Sequence, residues 1–434
     1  MSESNFSFDT IKVRGGYNPK DHNYAVSVPI YQTASFELGG TDRFERLRTF
    51  KEGGYFYTRL GNPTVAVLEE RVAALDGAAA AVAVASGMSA ITLTLFCVAE
   101  GGGRIITTKQ LYGGTADSFS LIYPKFGIAI DKVDNPNDPE EFRKAIKEDT
   151  RAIFIESISN PNAIVADIEA IARIAHENNI PLIVDNTFAT PYLLNPIKYG
   201  ADIVIYSATK ALSGHGNVIA GLILESGKFN WANGKFPQFA QPTYFFRDDQ
   251  GKERGIIEVF PEIPFSIKLR FHYLAYFGAA LSPFDAYLVL LGLETLSERV
   301  QKQVSNTETI IRYLEKVKQV TWIEHPAAKS SPYKELAQKY LPRGAGSTFS
   351  FGVKGTKEQV YKFLDSVRLF SYQANVGDAR SLIIDPPNVT HGELNLKEQK
   401  SADIAPETIR LSIGLEDAND LIADLEQAFA QAFK

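Results

Sequence analysis

The chain has 434 residues, of which 45% are hydrophobic and 22% charged, with 45 Lys+Arg against 51 Asp+Glu and a formal net charge of -6. That length calls for two domains with a sizeable core. The acidic balance excludes the basic face of a nucleic-acid binder, and no apolar run is long enough to span a bilayer. A single cysteine, Cys97, excludes an intramolecular disulfide and a cysteine-cluster metal site, and no metal is expected. Cys97 follows Leu93, Leu95 and Phe96 and reads as core packing. The start, Met1 to Phe6, is polar and acidic, without a basic or apolar signal region. A cytoplasmic location is expected from these absences.

Residues 1–64 are rich in loop formers and aromatics, with little periodicity, and read as an arm that packs on something else. Within it lies Tyr55-Phe56-Tyr57-Thr58-Arg59-Leu60-Gly61-Asn62-Pro63-Thr64. Tyr57 and Arg59, two apart, point the same way on an extended segment and could clamp a phosphate through the guanidinium fork. The same residues also suit an exposed arm. Val65 to Leu75 has helical apolar spacing. Ala78 to Ala85 is a dense run of small apolar residues ending in Ser86-Gly87-Met88-Ser89, with a helical stretch through Val98 after it. A helix opening this way offers free N–H groups and the positive end of its dipole, a phosphate cradle, although an ordinary N-cap looks identical. Gly101 to Gly103 is a turn before the strand Arg104 to Thr107. No Gly-x-Gly-x-x-Gly follows a strand, so a dinucleotide loop is absent. In Leu111-Tyr112-Gly113-Gly114-Thr115 the glycines let the backbone approach a ligand closely.

The strand Ala152 to Ile155 leads to Glu156-Ser157-Ile158-Ser159-Asn160-Pro161. The proline biases Asn160 to extended backbone, which fixes where its amide projects. Asp167 to Asn178 is an amphipathic helix. Two short apolar runs follow: Leu182 to Val184, closed by Asp185, and Ile203 to Ile205, which opens into Ser207-Ala208-Thr209-Lys210. Alternating strand and helix from about 80 to 224 is the pattern of a parallel, doubly wound sheet. Asp185 and Lys210 would both emerge at carboxyl ends of strands, where such sheets bind ligands. Lys210 sits among hydroxyls and small residues, a setting that strips water from an ammonium, lowers its pKa and suits imine formation with an aldehyde. A lysine that merely snorkels to water from a strand end fits the same stretch. Lysine and acid converging there suggest pyridoxal phosphate, with the lysine on the aldehyde and Asp185 on the pyridinium nitrogen.

Residues 225 to about 275 break the alternation and are too aromatic for disorder; without a function they read as an oligomer contact. After Ser282-Pro283 one long helix is expected, with apolar positions at Leu293, Leu296, Val300, Val304, Thr307, Ile311 and Leu314. It leads to a smaller domain with a strand over Ser347 to Val353, a helix over Gln359 to Val367 and a strand over Thr408 to Ile413. In the last strand Ile409, Leu411 and Ile413 share one face and leave Arg410 and Ser412 on the other. Arg410 could grip an amino acid's carboxylate in a bidentate fork, although arginines on strands also sit at surfaces.

Ser-Ala-Thr-Lys at 207–210 with Ser-Gly-His-Gly after it, Val-Asp-Asn-Thr at 184–187 and Arg-Leu-Ser-Ile-Gly-Leu-Glu at 410–416 together resemble the Cys/Met-metabolism family of fold-type I pyridoxal phosphate enzymes. The segments run in the family's order from Tyr57 to the end of the chain. The resemblance implies an α/β fold, a parallel-rich doubly wound sheet plus a smaller α+β C-terminal domain, divided into an arm (1–64), a large cofactor-binding domain (65–285) and a small domain (286–434). It implies that Tyr57 and Arg59 reach the cofactor phosphate of a neighbouring subunit. Ser86, Gly87, Met88, Ser207 and Thr209 would bind the cofactor, Tyr112 would stack on its ring, and Asn160 would contact the ring hydroxyl and the substrate carboxylate. Arg410 would seat that carboxylate with Ser381 and the loop Asn375-Val376-Gly377-Asp378. The catalytic set is then Lys210, Tyr112 and Asp185.

The aromatic insertion and Gly278-Ala279-Ala280-Leu281-Ser282-Pro283-Phe284 resemble the family's sulfhydrylase branch. The implied reaction is a γ-replacement that turns O-acetyl-L-homoserine and sulfide, or a thiol, into L-homocysteine and acetate, a step of methionine biosynthesis. Alternatives on the same scaffold are a cystathionine γ-synthase, a methionine or cystathionine γ-lyase, and a catalytically idle cofactor binder. The implied assembly is a homotetramer built from dimers with shared active sites. Three departures bear on the substrate. Asp385 stands where the family usually has histidine before the proline. Met88 stands where sulfhydrylases often carry glutamine and methionine γ-lyases carry methionine. Gly113 stands where those lyases tend to have cysteine.

Overall fold

The computed structural model describes residues 6–247, 250–389 and 405–433, so the acidic start Met1 to Asn5 lies outside the described residues. The larger of its two main sheets holds β1 (Ala80–Val84), β2 (Gly103–Thr108), β3 (Ile128–Val133), β4 (Thr150–Glu156), β5 (Leu182–Asp185), β6 (Ile203–Ser207) and β7 (Gly221–Glu225) in the order β1-β7-β6-β5-β4-β2-β3. Strands β2 to β6 pair in parallel, and β7 runs antiparallel to both its neighbours. The strands are short apolar runs because both faces are covered. Val204 and Tyr206 of β6 pack with the helices Pro63–Asp76 and Ile168–Glu177, while Ile203 and Ile205 pack with the helix Gly87–Val98 on the other side. β3 and β2 lie to one side of β4, and β5 and β6 to the other. This reversal of strand order opens a crevice at the carboxyl edge.

Beyond β7 the insertion forms a hairpin, β8 (Thr243–Arg247) with β9 (Glu253–Arg254), and folds its rings inward. Trp231, Phe236, Phe239 and Phe265 are buried, with Trp231 stacked on Phe265 at 5.5 Å between centroids. The indole Nε1 donates to Glu225 Oε1 at 3.1 Å, and the same carboxylate accepts the backbone N–H groups of Phe265 and Ser266. These aromatics therefore extend the chain's own core around Ile205 and Ile223.

The smaller sheet holds β10 (Val320–Glu324), β11 (Thr348–Val353), β12 (Ser371–Tyr372), β13 (Leu382–Ile384) and β14 (Thr408–Ser412) in the order β10-β11-β14-β13-β12. Its core joins Phe349, Phe351, Ile409 and Leu411 to Leu421, Leu425 and Phe429 of the helix Ala418–Ala432.

Two expectations need correcting. The arm contains helices, Phe8–Arg14 and Thr41–Arg48, too short to display a period. The first is anchored by its buried Lys12, whose Nζ donates to Ser297 Oγ and Glu298 Oε1, each at 2.5 Å. The single long helix is in fact two, Pro283–Leu293 and Leu296–Leu314. The chain breaks at Glu294-Thr295, where Gly292 O turns to accept from Arg299 Nη2 at 2.6 Å. The apolar spacing runs on through the break, so periodicity alone could not reveal it. Among the described residues no helix is long and apolar enough to cross a membrane. Because Trp231 fills the junction between β7 and the insertion, Trp231→Ala should cost about 3–5 kcal/mol, read as a lower thermal unfolding midpoint with the insertion loosened first in hydrogen exchange.

Candidate active site

The carboxyl edge of the larger sheet meets one end of the smaller sheet around a pocket of about 500 Å³. Lys210 enters it from the turn after β6, which is held by Lys210 N–H to Ser207 O at 3.1 Å and Gly214 N–H to Lys210 O at 2.8 Å. Its Nζ donates to Asn375 Oδ1 at 2.7 Å. Burial, with a smaller contribution from the nearby Arg410 charge, lowers its pKa to about 8. Among the described residues no carboxylate forms an ion pair with it, so no opposite charge holds the proton on.

Asp185 and Glu156 end adjacent parallel strands in direct register. Asp185 Oδ1 accepts Thr187 N–H at 3.0 Å. Glu156 accepts the backbone N–H groups of Tyr112 at 2.7 Å and Asn160 at 2.9 Å. Burial raises the pKa of both, and the Asp185 charge raises that of Glu156 further. This end of the pocket favours a cation. On the opposite side Arg410 is buried, donates to Asn160 Oδ1 at 2.9 Å and Asn375 O at 3.3 Å, and forms no ion pair with a carboxylate among the described residues. Burial lowers its pKa to about 10. A buried guanidinium with spare N–H groups is an anion receptor.

A third feature is the opening of the helix Gly87–Val98, which Ser86 caps through Oγ to Ser89 N–H at 3.0 Å. The first N–H groups of a helix have no partner within it. A Cβ on Gly87 would lie 2.6 Å from Ser207 Cβ, so only glycine lets the helix end approach β6. Met88, Ser207 and Thr209 line the same corner. Thr209 Oγ1 also staples the Lys210 turn, donating to Ala220 O at 3.2 Å and accepting Ala220 N–H at 3.0 Å. Half-exposed Tyr112 lines the pocket, and Ile91, Ile158, Phe188, Ile219, Val376 and Val389 give it an apolar wall.

The pocket therefore gathers Ser86, Gly87, Met88, Tyr112, Asn160, Asp185, Ser207, Thr209, Lys210 and Arg410. It leaves out three expected residues. Tyr57 and Arg59 do not line the pocket of their own chain; the guanidinium lies over the Tyr57 ring at 5.1 Å, and Tyr57 is exposed. Ser381 also lies outside the pocket. It is fully buried, its hydroxyl donating to Glu416 Oε2 at 2.9 Å and accepting Gly414 N–H at 2.9 Å, so it braces the end of β14 and does not face the cavity. Asp385 also stands outside, accepting from Tyr372 OH at 2.5 Å and Asn388 Nδ2 at 2.7 Å. Glu156 and Thr187 are two of the pocket residues that were not singled out from sequence. Glu156 closes an apolar run as Asp185 does, a signal that was available. Thr187, whose Oγ1 accepts Ser207 N–H at 2.8 Å, lies in the Val-Asp-Asn-Thr run, but nothing in that run marks its side chain as a brace on β6.

Residues 9–430 match the family described as "Cys/Met metabolism PLP-dependent enzyme". An O-acetyl-L-homoserine sulfhydrylase of Leptospira meyeri is 43% identical over 428 residues, 98% of this chain and 97% of that protein. A Campylobacter jejuni crystal structure with N'-pyridoxyl-lysine-5'-monophosphate superposes with a TM-score of 0.92 at 36% identity, covering 98% of this chain and 100% of that one. Cystathionine gamma synthase of Xanthomonas oryzae pv. oryzae in complex with cystathionine superposes at 0.84 with 28% identity, covering 98% of each chain.

A lysine with its pKa lowered to about 8 is about half neutral at that pH, against well under 1% for an ordinary lysine. Competitive acylation of the cofactor-free full chain, read by mass spectrometry, should give Lys210 a midpoint near pH 8. A midpoint equal to that of an unfolded lysine peptide would contradict its burial.

Proposed function

We propose, because this chain belongs to the Cys/Met metabolism family of PLP-dependent enzymes, that it carries out a γ-replacement on O-acetyl-L-homoserine, with sulfide or a small thiol as nucleophile, yielding L-homocysteine and acetate. The observation that carries the reading is one pocket with a low-pKa amine on Lys210, a carboxyl pair at Asp185 and Glu156, and an Arg410 guanidinium that no carboxylate among the described residues opposes. The full-length match to the Leptospira sulfhydrylase supports the choice of substrate.

The residues fit the cofactor. The helix end at Gly87, with Ser86, Met88, Ser207 and Thr209, would take the phosphate. Tyr112 would lie on the ring, and Asp185 would face the ring nitrogen and keep it protonated. Bound pyridoxal phosphate supplies an aldehyde that takes up an amine and a ring that delocalises the electron pair left by a departing proton. Arg410 and Asn160 orient the substrate by its carboxylate, which leaves its amino group toward Lys210. The Lys210 amine, neutral enough near pH 8, would take the α proton, hand it on, and then take a β proton, so that acetate can leave from the γ carbon; it would return the protons once the thiol has added there. The apolar wall keeps water from competing with the thiol.

The arm completes the pocket in trans on this reading. Tyr57 and Arg59 of one copy take the cofactor phosphate of the next. A homotetramer of such pairs in the cytoplasm, and division of the chain at 64/65 and 285/286, belong to the same proposal.

Incubating the enzyme with O-acetylhomoserine and sulfide should release homocysteine. Cystathionine formed preferentially with cysteine, or a 2-oxo acid and ammonia without any thiol, would assign it to the synthase or lyase reaction instead. Lys210→Ala should lower kcat by roughly 10²–10⁴-fold without unfolding the protein; an unchanged kcat would sink the assignment. For the shared site, inactive Arg59→Ala and Lys210→Ala chains should regain part of the activity when dissociated and reassembled together, since one mixed pocket then has both residues intact. No recovery would place the arm over its own pocket.

A further inference from the structure

Among the buried polar side chains of the helix Leu296–Leu314 are Arg299, Gln303 and Asn306. They are spaced four and three apart, so they line up along one face. Each donates to backbone carbonyls, and each reaches a different loop. Arg299 Nη1 donates to Ala211 O at 2.9 Å, its Nη2 to Leu212 O at 3.3 Å and Gly292 O at 2.6 Å, and its Nε to Thr295 Oγ1 at 3.2 Å. Gln303 Nε2 donates to Asp378 O at 2.8 Å. Asn306 Nδ2 donates to Gly414 O at 3.1 Å and Glu416 O at 2.8 Å.

These carbonyls belong to the segments that deliver the pocket's working groups. Ala211 and Leu212 follow Lys210 directly. Asp378 closes the loop that begins at Asn375, whose Oδ1 accepts from Lys210 Nζ. Gly414 ends the segment that carries Arg410. The guanidinium lies hard against the Lys210 turn: a Cβ on Gly214 would come 1.9 Å from Arg299 Nη1, and Gly214 has φ +71. Among the described residues no carboxylate forms an ion pair with Arg299. A buried charge without a counterion is expensive, and packing alone would be served by an apolar side chain of the same volume. What the guanidinium adds is a rigid fork that grips divergent carbonyls at fixed angles.

We propose that Arg299, Gln303 and Asn306 form a positioning stripe that sets the Lys210 amine relative to Asn375 and Arg410, with Arg299 governing the lysine and Gln303 the carboxylate-binding loop. The proposal rests on Lys210 being the reacting amine. An ammonium in place of the fork cannot hold the three carbonyls together, so Arg299→Lys keeps the charge and frees the turn.

In Arg299→Lys, the midpoint of Lys210 acylation in the cofactor-free full chain should rise by about one pH unit as water reaches the amine, a tenfold smaller neutral fraction at pH 7. The loaded enzyme should lose at least tenfold in kcat with KM for O-acetylhomoserine little changed. Gln303→Leu should do the converse, raising KM severalfold and leaving kcat and the acylation midpoint alone; it also serves if Arg299→Lys does not fold. A wild-type midpoint at the ordinary lysine value would overturn the reading of Lys210 and the stripe with it. A low wild-type midpoint, with both variants changed only in thermal midpoint, would overturn the stripe alone.

Discussion

Removing the Lys210 amine from water is the constraint that the rest of the pocket answers to. An ammonium in a low-dielectric site either finds an anion or gives up its proton. Here its hydrogen-bond partner is the neutral amide oxygen of Asn375, and the charge nearby is the like charge of Arg410. A carboxylate in place of Asn375 would restore the ion pair and push the amine back toward the ordinary lysine range. The choice of a neutral acceptor therefore matters as much as the lysine.

The same dielectric arranges the remaining charges. Asp185 and Glu156 face each other across adjacent strands, and burial holds both carboxyls above their usual range. Glu156 is satisfied by two backbone N–H groups and thereby fixes Tyr112 and Asn160, so it orders that wall of the pocket from behind. At the other side Arg410 spends two of its five N–H groups on Asn160 Oδ1 and Asn375 O, and no carboxylate among the described residues opposes its charge. A ligand with a cation at one end and a carboxylate at the other relieves both ends at once, and its binding free energy adds directly to the stability of the folded chain.

How far sequence reaches into this site depends on what kind of adjacency is asked of it. Asp185 and Lys210 stand out because each ends a short apolar run, and a parallel sheet brings such ends to one edge. Glu156 ends a run in the same way, but its meaning comes from pairing with β5, a register settled across the 25 residues of intervening helix and loop between Glu156 and Leu182, for which local pattern carries no information. Ser381 shows the opposite case. It lies near Asn375 in the chain, yet its hydroxyl is fully committed to Glu416 and Gly414, and closeness in sequence does not say which side chain turns inward. The helices of the arm and the break at Glu294-Thr295 escaped for a third reason: periodicity needs several turns to register, and it is blind to a kink that keeps the apolar face in phase.

The seam between the two sheets is polar where it borders the pocket, and that follows from what the pocket must do. Apolar surfaces slide over one another at little cost, because the hydrophobic effect is non-directional. A hydrogen bond is worth only about 1 kcal/mol net, but it is specific in distance and angle. Lys210 to Asn375, Arg410 to Asn160, Ser350 Oγ to Pro161 O at 2.9 Å and Ala379 N–H to Gly214 O at 2.8 Å all join the loops of the larger sheet to the strands or loops of the smaller one. Since a displacement of about 1 Å at reacting groups can cost on the order of 10²-fold in rate, a seam of directional bonds holds the amine and the guanidinium in register more tightly than any equal area of buried hydrocarbon.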